Sequence, residues 1–296
     1  MLAGISIFCF AASYSVALFL EITRLWFRSG VRGAFILLFA VAGLVAHTLF
    51  LGYLGYLSQQ NSVAPLSSAA EYYLLGAWVL AAVYLYVTLA LPKTPSGLFI
   101  LPLVLLLIYA GHHASFVPFP TDRAAQVWGR THGIFLLLGY VAVSFGFVVG
   151  AMYLLQANRL KQKLPGESRL KLPPLEWLER ANHRATVWAP VLVGAGFVSG
   201  IILNVVRSGE IPWNDPVVWR SAAMVVWLSG AALFAGWYMP AAHGRKVAYL
   251  TVASFVFLIA SVIVGFAFPT AHKVEDPKPT AYVLPRPTTA EVRPCN

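Results

Sequence analysis

Eight apolar runs, each about as long as a bilayer is thick, follow one another along this chain with short polar breaks between them, at about 2–22, 33–57, 72–91, 97–116, 132–157, 185–206, 220–240 and 246–268. A helix needs about 20 apolar residues to cross the hydrocarbon core. In lipid the backbone must satisfy its own N–H and C=O groups, which leaves helices and closed barrels as the spanning structures. Runs of this length predict an all-α, polytopic transmembrane bundle of about eight spans. Composition agrees: 59% of the residues are hydrophobic and 11% charged, where a soluble domain carries about 25% charged residues. The net charge of +10 would suggest nucleic acid in a soluble protein, but here it reads as the basic bias of cytoplasmic loops. Pro102 stands in the first turns of the fourth run, where proline is better tolerated than in mid-helix.

Loop charges predict the orientation. Arg24, Arg28 and Arg32 follow the first run, Lys93 the third, Arg159, Lys161, Lys163, Arg169, Lys171 and Arg180 the fifth, and Arg245 and Lys246 the seventh. The loop Ser58–Glu71 after the second run has no Lys or Arg. Odd-numbered loops therefore face the cytoplasm, and both termini and the even-numbered loops face outward. The N-terminus lacks the basic start of a cleavable signal, so the first run is expected to remain as a span. Pro118, Phe119, Pro120 and Trp128 suggest a segment lying on the membrane surface before His132. Residues 1–272 read as one transmembrane domain. Residues 273–296, with prolines at 277, 279, 285, 287 and 294, read as an external tail without a fold of its own. Gly146-x-x-x-Gly150 and Gly196-x-x-x-Gly200 have the spacing that lets membrane helices approach closely.

The chain has no phosphate-binding glycine loop, paired-carboxylate site or HExxH motif. Its two cysteines, Cys9 and Cys295, form no Cys-x-x-Cys-His, which excludes covalent c-type haem attachment, and Cys9 is expected as a small core residue. Carboxylates are scarce in the spans: Glu21 and Glu71 lie near span ends, which argues against an ion-coupled transporter. Histidine is the remaining ligand chemistry. Of the seven, His183 and His243 fall in basic flanks and His112 and His113 near the outer end of the fourth run. His47 stands inside the second run, where an ionisable residue is a functional-site hypothesis or a hydrogen-bonded interhelical group. His132, near the head of the fifth run, and His272, just past the eighth, share the outer side with the loop Trp213-Asn-Asp-Pro-Val-Val-Trp219. Two imidazoles at one depth suit the axial positions of haem iron, and Trp213 and Trp219 could pack against a porphyrin plane.

Four segments resemble the CcsA/HemX-like branch of the cytochrome c assembly family, which handles haem during cytochrome c maturation. Pro65-Leu-Ser-Ser-Ala-Ala-Glu71 with Trp78 is similar to that family's "PLSNLYES…W" segment. Trp128-Gly-Arg-Thr-His132 with Tyr140 resembles its "WxxxH…Y" helix start, and Trp213–Trp219 a reduced form of its tryptophan-rich "WWD" loop. Gly244-Arg-Lys-Val-Ala-Tyr249, a further span and His272 resemble its closing segment. The resemblance implies His132 and His272 as external axial ligands of non-covalent haem b, and Trp213, Asp215 and Trp219 as parts of the haem platform. His47 could bind the iron in transit. It further implies a bacterial inner-membrane protein that holds haem for an apocytochrome c through another assembly membrane protein, a chaperone role rather than turnover. The upstream tryptophans of the family loop are absent, and the neighbourhood Phe234-Ala-Gly-Trp237 lacks the histidine of export-competent members. A HemX-like accessory or regulatory subunit without haem is therefore the competing expectation.

Overall fold

The computed structural model describes residues 6–24, 26, 31–61, 63–92, 94–119, 123–162, 172–211, 213–237 and 243–267. These form eight α-helices and no strand: α1 (Ile7–Thr23), α2 (Arg32–Gln60), α3 (Ala69–Ala90), α4 (Gly97–His113), α5 (Arg123–Lys161), α6 (Leu175–Ser208), α7 (Pro216–Trp237) and α8 (His243–Ala267). Six are long and apolar enough to cross a membrane, while α1 and α4 are apolar helices of 17 residues each. The surface is apolar where that of a soluble protein is polar, and a few polar groups are buried. Phe8, Leu38, Val226 and Val256 are exposed, and His47, Glu21, Asn182, Thr186 and Ser254 are buried. Large exposed apolar faces with polar groups turned inward suit a lipid environment.

Each helix runs antiparallel to its neighbours in sequence. Phe10 of α1 stacks on His47 of α2, and Tyr14 lies against Gly43 four residues earlier on α2. The helices group into two sets. In the first, α1 touches α2 and α4, and α3 touches α2 and α4; in the second, α5 touches α6 and α8, and α7 touches α6 and α8. α5 joins the sets through α3 and, more slightly, α4. One end of the molecule carries the starts of α3, α5 and α7 and the loop between α6 and α7; it is called the Trp-loop end here. The opposite end carries Arg24, Arg32, Arg159, Lys161, Arg180, Arg184, Arg245 and Lys246.

Local chemistry sets the helix ends. The Ser68 hydroxyl accepts from the Glu71 N–H, while Glu71 Oε2 accepts the Ser67 and Ser68 N–H groups at 2.8 and 2.9 Å, a capping box that starts α3. Gly209, at φ 77°, ends α6 in the left-handed conformation that glycine adopts without strain. At the opposite end Arg24 fastens α1 to the α3–α4 turn through the Pro92 carbonyl at 2.8 Å.

Two helices start nine and ten residues before the apolar runs that mark them. α5 begins at residue 123 rather than 132, and α6 at residue 175 rather than 185. The added turns mix polar and apolar residues and contain no proline, so the helix outlasts the apolar run. Trp128 consequently lies inside α5 and not in a surface segment. Cys9 also departs from expectation: it is exposed, because α1 turns Phe10 and Tyr14 inward and Cys9 away from the bundle. The expected tail, residues 273–296, lies outside the described residues.

Candidate functional site

The α5–α6 pair shares the most extensive helix contact among the described residues, and its register follows from small residues. Going toward the Trp-loop end, Gly146 of α5 lies against Ala185 of α6, Gly139 against Val193, and Leu136 against Gly196. Both small-residue spacings are thus close-approach sites. The next step along α5 is His132, whose ring lies over Gly200: a Cβ there would be 2.7 Å from its Nδ1 and Cε1. His132 Nδ1 is 2.7 Å from the Gly196 carbonyl oxygen. A carbonyl can only accept, so Nδ1 carries the proton and Nε2 the lone pair of the neutral ring. Metal-ligating histidines are oriented in this way, with one ring N–H on a carbonyl and the other nitrogen toward the metal.

His132 is therefore nine residues into α5 and not at its head, about 14 Å along the helix at 1.5 Å per residue. The other expected residues can be placed against that level. Gly194 of α6 lies near Val225 of α7, so six residues further toward the Trp-loop end Gly200 comes level with Trp219. Phe147 of α5 stacks on Phe255 of α8 at 4.3 Å. Counting back 15 residues to His132 and forward along α8 brings Ala267 within about a turn of the same level. His272 lies outside the described residues.

The Trp213–Trp219 loop is a built element. The Trp219 indole N–H donates to the Trp213 carbonyl at 2.8 Å, and the two rings lie 6.3 Å apart at 51°. Asp215 is 7% exposed and caps α7 by accepting the Val217 N–H at 2.8 Å, with Pro216 at the first helical position. Both indoles stay open, at 57% and 61% exposure, so the loop offers flat apolar area that the described residues leave uncovered. Asp215 holds that loop shape from beneath.

His47 stands apart. It is fully buried in the first helix set, stacked 4.1 Å from Phe10, and α2 packs on α1 and α3, not on α5. Neither of its ring nitrogens makes a well-formed hydrogen bond, although the Leu74 backbone lies close by. Tyr14 Oη beside it is likewise buried without a partner. His112, His113 and His183 are exposed. The Pro65–Trp78 segment serves locally as the α3 capping box, and the Trp78 indole N–H donates to Thr48 of α2 at 2.8 Å.

Several residues at the site carry no pattern that sequence reasoning used. Tyr72 of α3 lies against Gly133, next to His132. Tyr140, two turns along α5, packs against the buried core of the second helix set beside Val143 and Val193. Below it the axis of the second set holds a narrow cavity lined by small side chains from all four helices, among them Gly146, Ala185, Ala231 and Thr251.

No family model matches the chain. The chain is similar to an uncharacterised 28.8 kDa protein in a nifR3-like 5′ region of Azospirillum brasilense, 26% identical over 165 residues, which is 55% of this chain and 58% of that protein. The chain thus matches less than two thirds of that relative's length.

Proposed function

We propose that this chain is a haem-handling membrane protein of cytochrome c biogenesis. It would hold non-covalent haem b at the Trp-loop end for delivery, through another assembly membrane protein, to an apocytochrome c. The observation that carries the reading is the His132 imidazole, seated on Gly200 and bonded through Nδ1 to the Gly196 carbonyl, which presents the ligating tautomer. In this reading His132 and His272 would ligate the haem iron, Trp213 and Trp219 would pack against the porphyrin, and Asp215 would keep the loop folded. Haem would supply the iron and a planar apolar ring; the protein supplies orientation and cover. His47 is the second imidazole at depth and would meet the iron in transit through an in-plane ring nitrogen.

The proposal includes eight spans in the inner membrane of a bacterium, with α1 and α4 crossing beside their longer partners. The clustering of basic residues at the opposite end supports a cytoplasmic placement of that end, so that both termini and the Trp loop face outward.

The test is a haem titration of the full chain in detergent, followed by absorption spectroscopy. Wild type is expected to bind with a low-spin, two-ligand spectrum, and His132→Ala or His272→Ala to lose that spectrum. Wild type that takes up no haem contradicts the function, and an unchanged spectrum in both variants contradicts the ligands.

A further inference from the structure

Glu71 is tied down by one carboxylate oxygen and leaves the other to a cavity. Leu66, in the left-handed conformation at φ 58°, turns the chain just before α3. The Ser67 and Ser68 N–H groups and the Ser68 hydroxyl that follow all donate to Glu71 Oε2. These bonds complete the helix cap and hold the carboxylate still. No hydrogen bond reaches Oε1 among the described residues, and the atom is not sealed in. Glu71 is 7% exposed and lines a cavity of about 30 Å³ between the last turns of α2, the start of α3 and the segment after α4. Leu54, Leu57 and Phe116 form the apolar part of its wall, and Ser58 and Ser68 stand with Glu71 in the polar part. Arg130 of α5 acts on the neighbouring Tyr72, as Glu71 does, but no ion pair joins the two among the described residues and Arg130 is not part of the cavity wall.

The polar wall asks for a donor. The Ser58 hydroxyl donates to the Leu54 carbonyl at 2.9 Å, and the Ser68 hydroxyl to Glu71 Oε2 at 3.0 Å. With their protons committed, both hydroxyls present lone pairs, as Glu71 Oε1 does. A hard metal cation takes about six oxygen ligands, whereas this wall sets one free carboxylate oxygen beside three apolar side chains. An ammonium group is the size of a water molecule and has three N–H donors for these oxygens. Its alkyl carbons then meet Leu54, Leu57 and Phe116. We propose that this cavity binds a primary ammonium carried on an alkyl chain, with Glu71 Oε1 and Ser58 Oγ as its acceptors. Both residues stand at the end of a helix long enough to span a bilayer, where headgroups and water meet. An ethanolamine phospholipid and a soluble alkylamine are the two sources of that chemistry. The inference stands apart from the haem reading.

The experiment incubates the full chain in detergent with equal amounts of phosphatidylethanolamine and phosphatidylcholine of matched acyl chains and counts bound lipid by native mass spectrometry. The choline headgroup has no N–H to donate. Wild type is expected to hold the ethanolamine lipid about tenfold over the choline lipid, the range of a charge-assisted hydrogen bond. Glu71→Gln should lose the preference while keeping its fold, because Gln also serves at this position of a capping box. Ser58→Val fills the cavity from α2, away from the cap, and should lose it as well. Millimolar n-butylammonium chloride should displace the ethanolamine lipid from wild type, and tetramethylammonium chloride should not. No lipid preference, together with thermal stabilisation by n-butylammonium of wild type but not of E71Q, assigns the cavity to soluble amines. Neither effect in wild type, or an effect undiminished in either variant, overturns the proposal and leaves the haem reading standing. Equal displacement by sodium or magnesium chloride at the same ionic strength makes it a metal-cation site and overturns it too.

Discussion

His132 owes its place to what is missing opposite it. Gly196 and Gly200 leave room for an imidazole between two close helices, and the Gly196 carbonyl fixes which nitrogen carries the proton. A side chain at Gly200 would need the space that the ring occupies. Gly200→Val is therefore expected to displace the imidazole, break the bond to Gly196 and weaken haem binding by about 10- to 100-fold, the usual cost of losing the partner that orients a metal ligand. Isothermal or spectroscopic titration measures it; an affinity within a factor of two of wild type would mean that the ring is not the ligand. Gly194→Ala is the control, because a Cβ there meets only Val225, at 4.0 Å. His47 shows the limit of reading a residue alone. Sequence marks it as an ionisable group in a span, but not that Phe10 lies flat on it.

At the scale of elements, hydropathy located every helix because the apolar runs are long, and the two small-residue spacings were legible because glycines in membrane helices mark close approach. It did not locate the starts of α5 and α6, because a helix may continue as an amphipathic one beyond the apolar run. Gln126, Arg130 and Thr131 on α5, and Glu176, Glu179 and Arg180 on α6, belong to such turns. That difference moved His132 from a helix head to a position about two and a half turns inside. The start of α7 was legible in principle, since Asp215-Pro216 is a cap followed by the residue favoured at the first helical position. Asp215 accordingly caps α7 at the end of the loop.

At the scale of the whole molecule, the alternation of loop charge was legible and the lateral order of the helices was not. Nothing in hydropathy says that α5 is the wall shared by two four-helix sets, because lipid-facing and helix-facing apolar residues are chemically alike. The orientation gives a direct prediction. In a background with Cys9→Ser and Cys295→Ser, a cysteine at Asn214 should react with an impermeant maleimide in intact cells. One at Gln162, after α5, should react only once the membrane is opened. The reverse pattern would place the Trp loop in the cytoplasm and contradict delivery to an exported cytochrome.

The central claim is that His132 ligates haem iron, and removing the imidazole and then returning it tests this most directly. His132→Gly in the full chain, saturated with haem, should lose the low-spin spectrum of wild type. Millimolar free imidazole should restore that spectrum by entering the vacated space beside Gly200, and should leave wild type unchanged. A His132→Gly protein whose spectrum matches wild type without imidazole would contradict the account.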